Sequence, residues 1–132
     1  DILTDLYDGV RLGEMNFEVS YRRVGEAYPQ ISFSQYNTAY DETQLAFLEL
    51  SGLVQLDLYS LMLANFEDIN AEIENFDTFT AGGIMHTILG RPEFYTYTVD
   101  GVRFVDWITQ IADGEEVDSV MCDNCDLAPE GE

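Results

Sequence analysis

The chain has 132 residues, of which 26 are Asp or Glu and five are arginine, with one histidine and no lysine, for a formal net charge of −21 at pH 7. Nucleic-acid backbones are bound through Lys and Arg, so this charge argues against direct binding to DNA or RNA. Hydrophobic residues make up 46% of the chain, which suits one domain with a single core and excludes a disordered acidic chain. No apolar run approaches the roughly 18 residues of a transmembrane helix.

The acidity leaves three interpretations open: a surface adapted to high salt, an imitation of nucleic acid, and a subunit whose charge is masked by neighbours. Self-repulsion would destabilise an isolated monomer at low ionic strength, and about 1 M salt shortens the Debye length to roughly 3 Å. The absence of lysine suits a high-salt proteome. The chain begins at Asp1 without a methionine, which indicates a removed leader or a stretch of a longer chain.

The first predicted elements are a helix and two strands. A short amphipathic helix is predicted at Ile2–Val10. Apolar and polar residues alternate over Phe17–Arg22, which predicts a strand. A second strand is predicted at Gln30–Ser34, and the polar stretch Asn37–Gln44 predicts a loop or a long hairpin tip.

A long strand and one strong helix are predicted next. Leucines and valine at alternate positions predict a strand over Leu48–Leu58, bent at Gly52. Ser60 is a candidate N-cap for a helix at about Leu61–Asp77. The apolar residues of this helix are spaced 4, 3, 4 and 3, which places them on one stripe; they are Met62, Phe66, Ile69, Ile73 and Phe76.

The last predicted element is a hairpin, followed by an acidic tail. Asp100-Gly101 separates two apolar runs, Phe94–Val99 and Val102–Ile108, and an Asp-Gly pair favours the type I′ turn of a hairpin. From Asp113 onward there are eight acidic residues and no basic one. We therefore expect a domain at residues 1–112 and an acidic C-terminal tail at 113–132 that orders only against a partner.

The chain offers few candidate ligands or catalytic groups. Cys122 and Cys125 have the spacing of half a zinc site, with His86, an aspartate or a symmetry mate as further ligands. Two thiols in a flexible tail are the alternative. His86 has no Ser or Cys in a nucleophile context, so a structural or surface role is favoured. No catalytic residue and no other cofactor is predicted.

Charged residues elsewhere predict contacts rather than chemistry. Arg22-Arg23 is the only basic dipeptide, and we expect these arginines to pair with carboxylates within or between subunits. The acidic stretch Asp113–Glu116 lacks the pattern of a calcium loop, which favours loose counter-ion binding. The helix at about Leu61–Asp77 and the strands together predict an α+β fold, with a small antiparallel or mixed sheet of four to six strands and this helix on one face.

The segment Tyr28–Phe33, a polar loop, and Leu53–Tyr59 leading into the helix with Phe66, Ile69 and Ile73 together resemble the tail-terminator or tail-completion proteins of tailed viruses. The resemblance covers roughly Asp1 to Ile108 by pattern and does not require the acidic tail. It implies a subunit of a ring at the end of a tail tube, without catalytic residues. It also implies that edge strands, Arg22, Arg23 and the loop Asn37–Gln44 meet neighbouring subunits.

The preferred hypothesis is a non-enzymatic structural subunit of an oligomeric assembly, such as a virion tail or head–tail component of a virus with a salt-adapted host. Its expected partners are further copies in a ring and other assembly subunits, with no nucleic acid and no membrane. Its expected location is the virion, or alternatively the cytoplasm of a salt-adapted cell or the extracellular space. Two other hypotheses stay open: an acidic nucleic-acid mimic that blocks a basic partner, and a small ligand-binding domain or enzyme.

Overall fold

The computed structural model describes residues 5–129. Its helices are α1 (Phe17–Ala27), α2 (Glu42–Leu50), α3 (Leu58–Asn70), α4 (Glu93–Thr96) and α5 (Phe104–Ala112), with a 3-10 turn at Leu12–Glu14. Its strands are β1 (Phe33–Thr38), β2 (Phe76–Ala81), β3 (Thr98–Val99), β4 (Val102–Arg103) and β5 (Val120–Met121). Of the predicted helix Ile2–Val10, residues 2–4 lie outside the described range, and residues 5 and 6 are helical.

The strands form two separate sheets. β2 lies at the centre of a three-stranded parallel sheet, with β1 on one side and β5 on the other. In this sheet Phe33 pairs with Phe76, and Phe79 pairs with both Tyr36 and Val120. β3 and β4 form an antiparallel hairpin. The combination of helices with a parallel and an antiparallel sheet confirms the predicted α+β class.

The parallel sheet is covered on both faces, because successive side chains of a strand point to opposite sides. On one face Phe76 packs against Phe66 of α3. The ring centroid of Phe76 lies 4.8 Å from that of Tyr21 in α1. On the other face the ring centroid of Phe79 lies 5.1 Å from that of Phe104 in α5. The core therefore consists of two aromatic clusters with the sheet between them.

The strand predicted at Phe17–Arg22 is wrong, since this segment lies in α1. Asn16 caps the helix, because its Oδ1 accepts a hydrogen bond from the N–H of Val19 at 2.8 Å. Tyr21 packs against the core, and Gly25, one turn later, is buried. Tyr21 and Gly25 therefore show the four-residue spacing of a helix, although the apolar and polar residues also alternate. The cap at Asn16 stabilises the helix rather than a strand.

The long strand predicted at Leu48–Leu58 is also wrong. The chain is helical up to Leu50, where α2 ends, and then turns. Gly52 has φ +86° and Gln55 has φ +59°, which places both in the left-handed region. A strand cannot continue through such residues.

The strong helix is present but begins and ends earlier than the predicted Leu61–Asp77. Asp57 caps it, because Oδ1 of Asp57 accepts a hydrogen bond from the N–H of Ser60 at 3.1 Å. Ser60 is therefore inside the helix rather than at its N-cap. The helix ends at Asn70, and Phe76 begins β2. The predicted apolar stripe therefore continues from the helix into the central strand.

The Asp-Gly hairpin is confirmed. Asp100 and Gly101 have φ +49° and +76°, as a type I′ turn requires, and Val99 pairs with Val102. The ladder has two residues on each side, whereas the runs Phe94–Val99 and Val102–Ile108 predict longer strands. The outer parts of those runs form α4 and α5 instead.

The segment after Asp113 contributes to the sheet through β5. Val120 is buried, and the N–H of Cys122 donates to the carbonyl oxygen of Thr80 at 3.0 Å. The stretch Val120–Cys125 therefore packs on its own chain, where the sequence predicts order only against a partner. The domain division at residue 112 stays a prediction.

Within residues 5–129 no helix is long and apolar enough to cross a bilayer.

Candidate functional site

β1 forms an open edge of the parallel sheet. Among residues 5–129, no second strand pairs with the side of β1 that faces away from β2. Phe33 and Ala39 donate their N–H groups to the carbonyl oxygens of Asn75 and Ala81. Alternate residues of a strand bond to the same neighbour, so Phe33, Gln35, Asn37 and Ala39 face β2. The N–H and C=O groups of Ser34, Tyr36 and Thr38 therefore point away from β2.

A groove of about 800 Å³ runs along this edge. Four consecutive residues of β1, Ser34–Asn37, line it. Successive side chains point to opposite faces of a sheet, so a hollow that touches all four must lie beside the edge rather than over one face. The opposite walls come from α1, α2 and α3, through residues that include Phe17, Tyr21, Leu48, Leu61 and Met62.

A second cavity of about 270 Å³ lies on the other side of β1. Of the β1 residues, only Ser34 and Tyr36 line it, and these two share one face of the sheet. Its remaining walls are largely apolar and include Leu89, Phe94 and Trp107. The groove and the cavity therefore flank the same short stretch of strand.

Asp41 and His86 meet at the carboxyl end of this edge. The loops after β1 and β2 run together here, because Thr38 Oγ1 donates to the carbonyl oxygen of Met85 at 2.6 Å. His86 Nδ1 lies 2.8 Å from Oδ2 of Asp41. An ionised carboxylate only accepts, so Nδ1 carries the proton and Nε2 is left for other contacts. His86 lines both the groove and the cavity.

Asp41 is held by the helix that follows it. It is the N-cap of α2, and its side chain is 1% exposed. Its Oδ1 accepts from the N–H of Gln44 at 2.9 Å, and its Oδ2 accepts from Nε2 of Gln44 at 3.1 Å. The segment Asn37–Gln44, predicted as a loop, therefore contains the end of β1 and the first turn of α2. These bonds fix the carboxylate that orients His86.

The hydroxyl of Tyr36 is buried between the groove and the cavity. It has no hydrogen-bond partner among residues 5–129, and the same holds for Oε2 of Glu93. Burial raises the pKa of Tyr36 well above its ordinary value, and the charges of Tyr97, Glu93 and Asp41 raise it further. Tyr36 is therefore a neutral hydroxyl with an unused donor at the edge strand.

His86 makes its polar contact with Asp41. Within residues 5–129 no hydroxyl or thiol is hydrogen-bonded to His86. The described residues also contain no group of three or more His, Cys, Asp or Glu placed to hold a metal ion.

Cys122 and Cys125, the predicted zinc ligands, form a disulfide, with their Cα atoms 5.2 Å apart. Zinc binds thiolate sulfur, so the two residues would be available as ligands only with the disulfide reduced, and a zinc site at this pair stays a prediction. The loop that it closes lies on Gly82-Gly83, the residues directly after β2. The hydroxyl of Tyr59 lies 3.4 Å from Sγ of Cys125. The pair is thus part of a packed loop rather than two thiols in a flexible tail.

Arg22 and Arg23, the predicted interface residues, lie on α1 and not on a strand. Arg22 Nη1 lies 3.0 Å from a carboxylate oxygen of Glu18, and Nη2 of the same guanidinium pairs with Glu72 of another segment. Arg22 therefore pairs within the chain, as one of the two expectations has it. Arg23 is exposed. A role for either residue between subunits stays a prediction.

A third hollow, of about 650 Å³, lies at the opposite end of the sheet. Five carboxylate residues line it: Glu26, Glu74, Asp77, Glu115 and Glu116. Burial raises the pKa of Asp77, and the nearby Asp118 raises it further, although the hydroxyl of Ser119 lowers it. This hollow concentrates negative charge without a metal cluster among residues 5–129.

Comparison of the chain with protein-family models, with curated protein sequences and with solved structures gave no match.

Sequence reasoning missed the groove and its Asp41. The local signal for Asp41 was an aspartate followed three residues later by Gln44, which is the pattern of a capping box. The groove has no local signal, because it depends on which strand lies at the edge of the sheet. His86 was singled out, but its partner was not.

Proposed function

We propose that this protein is a non-enzymatic interaction subunit that binds an extended, cationic segment of a partner protein along the free edge of β1. The observation that carries the proposal is the groove of about 800 Å³ lined by the four consecutive β1 residues Ser34–Asn37. When a segment adds to a sheet edge, its main-chain hydrogen bonds supply affinity, and pockets for alternate side chains supply specificity.

The edge of β1 lacks the charge, proline and bulges that commonly protect an edge strand against strand addition. Proteins protect sheet edges with lysine, proline, inward-pointing charge or bulges. The sequence of β1, Phe33–Thr38, contains no charged residue and no proline, and its pairing with β2 is continuous over six residues. The walls on both sides would exclude water from the added main-chain hydrogen bonds and so strengthen them.

Charge selects a cationic segment. Apart from His86, the residues that line the groove are Glu18 and residues with uncharged side chains. No arginine of the described chain is among them. The net charge of −21 steers a cationic polypeptide toward the surface. A second copy of this chain would carry the same −21, and that repulsion is large unless salt is high.

Exposed apolar side chains lie near Leu48 along the chain and support a protein partner. Leu48 of α2 lines the groove, and Phe47 and Leu50 of the same helix are 62% and 84% exposed. Leu53 and Val54 in the following loop are also exposed. Exposed apolar side chains grouped in one short segment favour an interaction site.

A virion tail ring is a more specific form of the same proposal, taken from the resemblance to tail-terminator proteins. In that form the groove would hold a segment of another assembly subunit, and the protein would be located in the virion. Leu53–Tyr59, which that resemblance takes as a strand, contains a turn and the start of α3. Support for the ring therefore comes from the interaction surfaces and not from that strand.

The test uses a labelled peptide of about six residues, the usual length of a strand, in which leucine and arginine alternate. Binding to the full chain is measured by fluorescence anisotropy. N-methylation at one set of alternate peptide residues should abolish binding, because those N–H groups face β1. N-methylation at the other set should leave the affinity unchanged, and this peptide is the matched control.

A substitution in β1 gives a second test. Ser34→Pro should weaken binding by about tenfold through loss of one outward N–H, and it should keep the fold, since edge strands tolerate proline where the N–H faces solvent. Gln35→Pro is the contrasting variant and should unfold the chain, because that N–H faces β2. Equal sensitivity to both N-methylated peptides, or no binding of the parent peptide, would refute the proposal.

A further inference from the structure

We infer that the two hollows beside β1 recognise alternate side chains of the bound segment, with large apolar side chains in the smaller cavity and arginine or lysine in the larger groove. This inference rests on the proposed strand addition. Side chains of an added strand alternate between the two faces of the sheet. The cavity lies on the face that Ser34 and Tyr36 share, and the groove extends to the other face.

The cavity suits an apolar side chain because the polar atoms of its aromatic walls are either hydrogen-bonded or, at the hydroxyl of Tyr36, buried away from the cavity surface. Phe104 and Trp107 are each 3% exposed and belong to the core. The indole N–H of Trp107 donates to the carbonyl oxygen of Asp118 at 2.9 Å, away from the cavity lining. The ring centroid of Phe94 lies 5.3 Å from that of Phe104. Rings without free donors at the cavity surface favour burial of a large apolar side chain.

The groove suits a long cationic side chain because its lining combines apolar and polar groups. Leu61 and Met62 provide apolar contact for an aliphatic stem. The polar groups that could receive the charged end belong to Glu18, Gln35, Asn37, Gln44 and Asn65. Glu18 is the carboxylate among them, and one of its oxygens lies 3.0 Å from Arg22.

The position of β1 between the two hollows determines which side chains of the bound segment enter the cavity and which enter the groove. Ser34, Tyr36 and His86 line both, so one peptide residue can point into the cavity while its neighbours point into the groove. The segment therefore reads apolar–cationic–apolar–cationic. Such a segment matches both the apolar cavity and the negative charge of the chain.

The experiment compares three leucines that are exposed in the free protein. Leu89 lines the cavity and is 72% exposed, Leu61 lines the groove and is 45% exposed, and Leu127 lines neither and is 64% exposed. Each is changed to asparagine in the full chain, which keeps the net charge. The probes are the leucine–arginine peptide and two derivatives, one with asparagine for each leucine and one with asparagine for each arginine.

On the unmodified protein each derivative should bind about tenfold more weakly than the parent peptide. In the variant Leu89→Asn, the loss of affinity caused by replacing the peptide leucines should become smaller. The loss caused by replacing the peptide arginines should stay the same. Leu61→Asn should show the reverse, because it removes the contact for the arginine stem. Leu127→Asn should leave both penalties unchanged.

The outcomes separate this inference from the proposed function. If the parent peptide binds and shows the N-methylation pattern, but Leu89→Asn and Leu61→Asn change both penalties equally, the strand addition stands and the side-chain assignment is wrong. The assignment is also wrong if Leu127→Asn acts like the other two. If the parent peptide does not bind at all, the proposed function itself fails.

Discussion

The N–H of Gly83 donates a hydrogen bond to the carbonyl oxygen of Cys125 at 2.9 Å. This bond ties the loop after β2, which carries His86, to the disulfide loop after β5. The approach is close because Gly82 has no side chain, and a Cβ there would overlap the carbonyl oxygen of Leu127. The neighbouring Gly83 has φ +89°, which favours glycine. The position of His86 therefore depends on a contact between two backbones.

Gly82→Ala should destabilise the protein by about 1–3 kcal/mol, because backbone atoms must shift to admit the methyl group. Urea unfolding followed by circular dichroism measures the loss. Gly13→Ala is the matched control, since a Cβ at Gly13 would meet nothing within 4 Å, and its effect should stay within about 0.5 kcal/mol. Equal effects of the two variants would show that the contact at Gly82 is not tight.

Asp41→Ala should cost about 2 kcal/mol of unfolding free energy, because it removes an N-cap and leaves donors of Gln44 and His86 without their acceptor. His86→Ala should cost less, since this side chain is 45% exposed and Asp41 keeps its two bonds to Gln44. Asp41→Asn should recover part of the loss through the acceptor for the N–H of Gln44. Chemical denaturation of the three variants checks this order, and a larger loss in His86→Ala than in Asp41→Ala would contradict it.

Asp77→Asn should raise the melting temperature at pH 7. Burial raises the pKa of Asp77 in the folded state, and Asp118 adds to the shift. A carboxyl group with a raised folded pKa stabilises the fold when protonated; this stabilisation is complete below its unfolded pKa and is lost as the pH rises through the folded value. The amide avoids the loss and can still accept from the hydroxyl of Ser119. At pH 3 the two proteins should melt alike.

Asp106→Asn is the control of opposite sign. A hydrogen bond from Arg103 lowers the pKa of Asp106 in the folded state. Such a group contributes stability above its unfolded pKa and loses it as the pH falls through the folded value. Asp106→Asn should therefore lower the melting temperature slightly at pH 7. The same sign for both variants at pH 7 would contradict the assignment of the two shifts.

The parts of the fold that the sequence predicted depend on local chemistry. Asp100-Gly101 specifies its turn because both residues accept positive φ, and the spacing from Met62 to Ile69 specifies a helix face. The strand predicted at Phe17–Arg22 failed because alternation over a few residues also fits a helix with a good cap, which Asn16 supplies. The strand predicted at Leu48–Leu58 failed because α2 continues to Leu50 and Gly52 and Gln55 then adopt positive φ.

The candidate site could be predicted only in part. His86 is the one histidine, and its residue type drew attention to it. Its contact with Asp41 joins loops 45 residues apart along the chain. The free edge of β1 follows from the pairing of Phe33 with Phe76 and from the position of β5 on the far side of β2. These are long-range parallel pairings, which no local pattern of residues encodes.

The stability of the folded chain should rise with salt. Its 26 acidic residues face five arginines, and of these arginines Arg22 and Arg103 form ion pairs with carboxylates. Repulsion among the remaining carboxylates acts over about 10 Å at 0.1 M salt and over about 3 Å at 1 M. The melting temperature, measured by calorimetry, should therefore increase by several degrees over this range of NaCl.

The control repeats the salt series near pH 4, close to the isoelectric point of about 4.1. There the net charge is close to zero, so salt has little repulsion to screen and the increase should largely disappear. An increase of the same size at both pH values would mean that salt acts through exclusion from apolar surface instead. Peptide affinity should move in the opposite direction at pH 7, because the same screening weakens attraction for a cationic segment. A melting temperature and a peptide affinity that both rise with salt would exclude charge as the basis of partner selection.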